Sequence, residues 1–390
     1  MLKAINTSAT LAYPFRILFL CCAVYAIVIV TTWFGILQGW FHLPIAWSPL
    51  YWHSHEMIFG FVAAAICGFL LTAMCNWTGA KPLTGFKLLS LVALWSAGRF
   101  AMWMGDALPP ELVAVVDVAF LAVVAIYVAR VLLHYGNKRN LILAVALALL
   151  TTCNLAMHAG AYTQNNQWMW AGETTALGLI TLIMVIIGGR IIPLFTTNAL
   201  RSQGINVDSI KNSTLVNQLS IFGTALLIPL NFFTQYSLAV GLFTLFVAGM
   251  HGVRLAQWRG WSTRHEPLLW ILHIGYGWIV LALLFKGLHL LGAPIAISVW
   301  QHSLGVGAMS GLILGMMTRV SLGHTGRPLK LPRLGVAIYL AIMLAAMVRV
   351  LVALGVINFQ WGLALATLLW ICAFGVFIYR YSFILTTPRL

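Results

Sequence analysis

The chain has 390 residues, of which 62% are hydrophobic and 7% charged, with a formal net charge of +15. A soluble domain carries about 25% charged residues, so a water-soluble enzyme is excluded. The basic excess need not mean nucleic acid either, because it follows the pattern of a membrane protein, as the order of the spans shows.

Windows of about 20 residues predict about twelve transmembrane helices, at 17–37, 54–76, 85–104, 112–135, 140–162, 168–192, 214–234, 236–257, 265–291, 296–319, 332–355 and 359–382. The expected fold is all-α: a polytopic membrane protein with a single transmembrane domain over 1–390 and short connections. The first span lacks a small-residue cleavage site and is expected to be retained. With the N-terminus inside, 19 of the 22 Lys and Arg fall at inner helix ends and loops, among them Arg16, Lys81, Lys87, Lys138, Arg139, Arg201, Arg259 and Arg264. This positive-inside bias places both termini in the cytoplasm. Arg99, Lys286 and Arg349 break it, lying near outer helix ends. Cys21, Cys22, Cys67, Cys75, Cys153 and Cys372 sit in or beside apolar spans without a CxxC or CxxCH pattern, so they indicate neither a thiolate cage nor covalently attached haem.

The second span opens with His53, His55 and Glu56, and imidazole or carboxylate at a bilayer edge is costly unless something binds it. His158 in the fifth span, His289 in the ninth and His302 in the tenth join them within roughly ten ångströms of the outer face, at 1.5 Å per helical residue. His273 and His251 belong to the inner half. Residues 53 and 55 differ by about 200° around a helix, whereas His53 and Glu56 share a face. A haem between two helices needs one imidazole from each at similar depth, and the second and tenth spans supply that. Haem propionates near the outer face would call on Arg99, Lys286 or Arg349. The simpler expectation for a cation such as Arg99 is pairing with Asp106, Glu111, Asp117 or Glu173.

A repeat connects these positions. His55 precedes Thr78-Gly79 as His302 precedes Thr325-Gly326, with Gly60 and Gly307, then Gly68 and Gly315, at matching intervals. Glu173 stands in a weaker third copy before Thr196, with Gly178 matching Gly60. Three pseudo-repeats of four helices are therefore expected, roughly 14–135, 140–257 and 265–382. The segment around Gly323, His324 and Gly326 reads as a structural helix-ending turn.

This architecture, with His53-x-x-x-Met57-Ile58-Phe59 leading to Asn76-Trp77, and His302 followed by Gly307-Ala308-Met309, resembles the catalytic subunits of haem-copper oxidases and nitric oxide reductases. In that resemblance His53 (or His55) and His302 correspond to the axial ligands of a low-spin haem b. The chain departs from it in having no His-x-x-x-Tyr in the sixth span, no His-His pair in the seventh, and Trp300 where a second haem's ligand is expected. Pro14-Phe15-Arg16, Trp52-His53-Ser54-His55-Glu56-Met57, Gly189-Arg190-Ile191-Ile192-Pro193-Leu194-Phe195-Thr196 and Met317-Thr318-Arg319-Val320-Ser321-Leu322-Gly323-His324-Thr325-Gly326-Arg327-Pro328 together resemble the NnrS family along nearly the whole chain. That resemblance implies a bacterial inner-membrane protein containing haem and copper, connected with nitric oxide metabolism, denitrification and nitrosative stress.

The function expected from these readings is binding or reduction of nitric oxide at an outer histidine cluster, a nitric oxide reductase-like oxidoreductase being one form of it. His53, His55, His158, His273 and His302 are the candidate metal ligands, the metal beyond haem b being copper or, beside a carboxylate, non-haem iron. Glu56 and Glu173 are the candidate proton donors or ligands, and Arg99 and Arg349 the candidate partners of haem carboxylates. Nitric oxide reaches such a site through the lipid bilayer, and electrons would come from a quinol or a redox partner. The competing readings are a copper or haem transporter and a haem-based sensor.

Overall fold

The computed structural model describes residues 8–40, 42–205, 207, 210 and 213–390. Among them there is no strand, and the long helices are α1 (Pro14–Leu37), α2 (Pro49–Thr78), α3 (Gly85–Trp103), α4 (Pro110–His134), α5 (Leu141–Tyr162), α6 (Asn166–Ser202), α7 (Thr214–Leu230), α8 (Ser237–Gln257), α9 (Pro267–Leu290), α10 (Ile297–Gly323), α11 (Gly335–Ala353) and α12 (Phe359–Thr386). Proline in the first turn starts α1, α2, α4 and α9, where its missing N–H forfeits no helical bond.

Ten of these helices are long and apolar enough to cross a membrane; α3 and α7 are not among them. α7 has 17 residues, and α3 interrupts its apolar run with Lys87, Ser90, Ser96 and Arg99. α6 differs from the expected 168–192 in the other direction. It runs through Pro193 to Ser202, because its i→i+4 ladder resumes beyond the one N–H that proline removes.

The chain forms two compact units: residues 1–177 with 320–328 and 377–390, and residues 178–319 with 329–376. In the first, α1 packs on α2, α3 on α4 and α4 on α5. In the second, α8 packs on α7 and α9, and α10 packs on α9 and α11.

Two helices share an unusual construction. α2 is π-helical over Glu56–Val62, directly after His55, and α10 is π-helical over Ser303–Met309, directly after His302. Wide π turns within α-helices are rare and concentrate at functional sites. The repeat register continues beyond them, since Gly79 and Gly326 both adopt the left-handed conformation, with φ +76° and +77°. Gly60 and Gly307 each lie under an aromatic ring, Tyr25 and Trp278 respectively.

Two of the family-like blocks meet in the first unit. Thr72 Oγ1 accepts the Phe15 N–H (3.1 Å), and the Phe15 ring lies 5.6 Å from the His324 ring. Arg16 donates to the carbonyls of Leu385 (3.0 Å) and Thr387 (2.6 Å), while Arg327 donates to Thr387 Oγ1 (2.9 Å) and Leu390 N–H to Thr325 O (3.0 Å). The turn around Gly326 thus ties the end of the chain to the start of α1. Burial, with Arg389 nearby, holds the His324 imidazole below its ordinary pKa.

Candidate metal centre

Five helices of the first unit contribute to one buried polar cluster: Tyr25 from α1, His55 and Glu56 from α2, Arg99 from α3, Asp117 from α4, and Asn154 and His158 from α5. Asn154 and His158, four residues apart, share a helix face. Asp117 is the hub. Its Oδ2 accepts from Asn154 Nδ2 (2.8 Å) and His158 Nε2 (2.9 Å) and lies 3.1 Å from His55 Nε2, while its Oδ1 accepts from Arg99 Nη2. Arg99 Nη1 also donates to Glu56 Oε1 (2.5 Å), whose second oxygen accepts from Tyr25. Trp103 Nε1 donates to that tyrosine (3.0 Å). His55 and Glu56 are fully buried and Asp117 nearly so.

Hydrogen-bond accounting leaves one positive charge to be supplied. Two carboxylates face one guanidinium, an excess of one negative charge in an apolar interior. His55 Nδ1 faces Glu56 Oε1 (2.9 Å) and Nε2 faces Asn154 Oδ1 (2.8 Å), both acceptors, since Asn154 spends its amide N–H on Asp117. One proton shared between His55 and the carboxylates balances the cluster, and a metal cation also removes the negative excess. His55, Asp117 and His158 each offer a ligand atom, all within 4.8 Å of one another. Ligands about 2.1 Å from a metal stand about 3 Å apart when cis, the spacing of Asp117 Oδ2 from His55 Nε2 (3.1 Å) and from His158 Nε2 (2.9 Å). Two imidazoles and a carboxylate suit iron, zinc or copper. Trp47, its ring 4.9 Å from both His55 and His158, covers the group.

Apart from Arg99, the remaining expected site residues lie outside this cluster. His53 stacks on Trp33 at 4.4 Å, and Glu173 stands in hydrogen-bonding reach of Ser54. Arg99 is paired with Glu56 and Asp117, the simpler of the two expectations for it. His302, His273 and Arg349 belong to the second unit. His302 Nδ1 donates to Ser298 O (2.7 Å), which fixes the tautomer and gives Nε2 the lone pair a metal needs. Three residues on, Gly305 has open space where a side chain would begin. An imidazole of fixed tautomer, with an uncrowded glycine one turn on, is compatible with a haem ligand. His273 Nε2 donates to Thr196 Oγ1 (2.9 Å), which itself donates to Ile192 O. His251 lies between Thr224 and Tyr276, and Tyr276 also accepts from Arg254. Sequence reasoning did not identify Asp117 as a ligand, nor Asn154 and Tyr25; the available signal was a carboxylate eight positions inside an apolar span.

Apolar helices of membrane-crossing length around a buried His–Asp–His group define a polytopic membrane protein equipped to hold a metal. Within that class the assignment is specific. The NnrS protein family model matches residues 9–389, and the chain belongs to that family. Among curated proteins none matches it.

Proposed function

We propose that this protein is a haem- and metal-containing protein of the bacterial inner membrane that binds nitric oxide. The convergence of His55, Asp117 and His158 in an apolar bundle, in a chain belonging to the NnrS family, carries the reading. The metal, copper or non-haem iron, is held by these three residues. His302 ligates a haem b, which supplies a redox-active iron when bound. In this reading α3 and α7 also cross, giving twelve spans with both termini cytoplasmic, and the matching π-helical segments are relics of an internal repeat.

The chain's own residues supply orientation and proton handling. Glu56 Oε1 orients His55 by accepting from Nδ1, which leaves Nε2 for the metal, Arg99 holds both carboxylates, and Tyr25 and Trp103 close the far side of Glu56. Nitric oxide, small and apolar, enters through lipid, and Trp47 and the surrounding side chains exclude bulk water. Reduction of two nitric oxide molecules to nitrous oxide and water consumes two protons and two electrons. Glu56 stands at the metal group as a proton carrier, and a quinol or redox partner would supply the electrons.

The experiment mixes purified, metal-replete, reduced protein with nitric oxide, with and without an electron donor, and follows gas consumption and nitrous oxide. Sustained product formation, lost in Glu56→Gln, makes the protein a reductase. Stoichiometric uptake that disappears in His158→Ala makes it a binder. Absence of both in metal-replete protein overturns the proposal.

A further inference from the structure

The second unit carries unpaired positive charge, opposite in sign to the excess at the first unit's cluster. Lys286 lies four residues from the end of α9, Arg349 four residues from the end of α11, and His302 five residues after the start of α10. At 1.5 Å per residue these depths are about 6–8 Å. α10 packs against both neighbours, so the C-terminal ends of α9 and α11 flank the N-terminal end of α10. Lys286 Nζ donates to the neutral Asn231 Oδ1 (2.6 Å) and lies 4.8 Å above the ring of buried Trp300, two residues before His302. Arg349, half-buried, has no hydrogen-bond or ion-pair partner among the described residues.

Among the described residues, no carboxylate of this unit is available to either cation. Glu266, its acidic residue among those described, directly precedes α9 and so belongs to the opposite end. Arg99, the other cation near an expected outer end, is already neutralised by Glu56 and Asp117. Two half-buried cations without a carboxylate partner among the described residues call for an external anion, since an uncompensated charge at a bilayer edge is costly.

We propose that Lys286 and Arg349 form the carboxylate-binding subsite for the haem held by His302, with Trp300 as its floor and the open flank of Gly305 as room for the ring. The assignment rests on His302 as a haem ligand. Of the three cations that the sequence offered for this role, Arg99 is taken up by Glu56 and Asp117, and Lys286 and Arg349 remain.

The test uses full-length protein produced without haem and titrated with haem b or with its dimethyl ester, in which the carboxylates are neutral. Wild type is expected to prefer haem b by about tenfold or more, a charge-assisted bond being worth at least that. Lys286→Met with Arg349→Gln should abolish the preference by weakening haem b alone, while Arg349→Lys, which keeps the charge, should retain most of it. An unchanged preference in the neutral double variant overturns the subsite. So does release of a bound anionic phospholipid, seen by native mass spectrometry, with haem affinity intact; the anion is then a lipid phosphate. Failure of wild type to bind either form refutes the His302 reading itself.

Discussion

Asp117→Asn is a nearly isosteric change at the point where the buried cluster is most exposed to failure. The carboxylate accepts on both oxygens, from Arg99 on one and from Asn154 and His158 on the other, with His55 Nε2 3.1 Å away. An amide has one acceptor oxygen and one NH2. If its oxygen stays towards Arg99, the NH2 points at Asn154 and His158, donor against donor. If the amide flips, it points at the guanidinium. Each donor orphaned in this way costs about 1–3 kcal/mol, and breaking a buried ion pair costs about 3–5 kcal/mol. Because Arg99 keeps Glu56 and a shared proton can shift, the expected loss lies near the lower part of that range, about 3 kcal/mol. The assay is unfolding in mixed detergent micelles, with metal content measured on the same samples. A cycle with His158→Ala isolates the coupling, and the two losses should be clearly non-additive. If Asp117→Asn unfolds within about 0.5 kcal/mol of wild type and retains its metal, Asp117 is not the hub.

Gly60→Ala places a Cβ 2.5 Å from Tyr25 Cε1 and 3.2 Å from Arg99 Cδ, so overpacking should cost about 1–3 kcal/mol and loosen metal binding. Gly305→Ala, with open space around it, should leave unfolding unchanged while lowering the haem-to-protein ratio. Tyr276→Phe removes the donor to His251 Nδ1 (2.7 Å) and should cost about 1–3 kcal/mol in the same unfolding assay. His324 is held below its ordinary pKa by burial, so the folded state binds fewer protons than the unfolded one. The stability from its neutral form is complete above about pH 6.5 and falls as pH drops towards the folded value; unfolding measured across that window should show the slope, and His324→Gln should flatten it.

Much of the cluster was legible because ionisable side chains at the ends of apolar spans are conspicuous. His55, Glu56, His158 and Arg99 carried that signal individually, and the fold brings all four together. Asp117 carried it too, but an acid near an arginine reads first as a counter-ion, and its ligand role depends on the angle between α4 and α5, which no spacing encodes. The histidine-to-glycine register was visible, whereas the π-helical winding behind it was not. A single wide turn leaves hydrophobic periodicity almost unchanged, since α2 and α10 are buried around most of their circumference. Span number was blurred where composition is ambiguous: α3 carries charges within it and α7 is short.

Each π-helical segment also separates two demands on one helix. A residue added to a 3.6-residue turn rotates everything beyond it by about 100°, so the direction in which His55 or His302 points is adjusted independently of the glycine face further along, where Gly68 packs against Phe19 and Gly315 against Leu272. Ligand aim and helix seating can then drift apart through evolution by insertion or deletion of a single residue. Removing one residue from 56–62 would leave α2 seated on its glycines while swinging His55 away from Asp117, converting a metal-holding helix into a merely structural one in a single step.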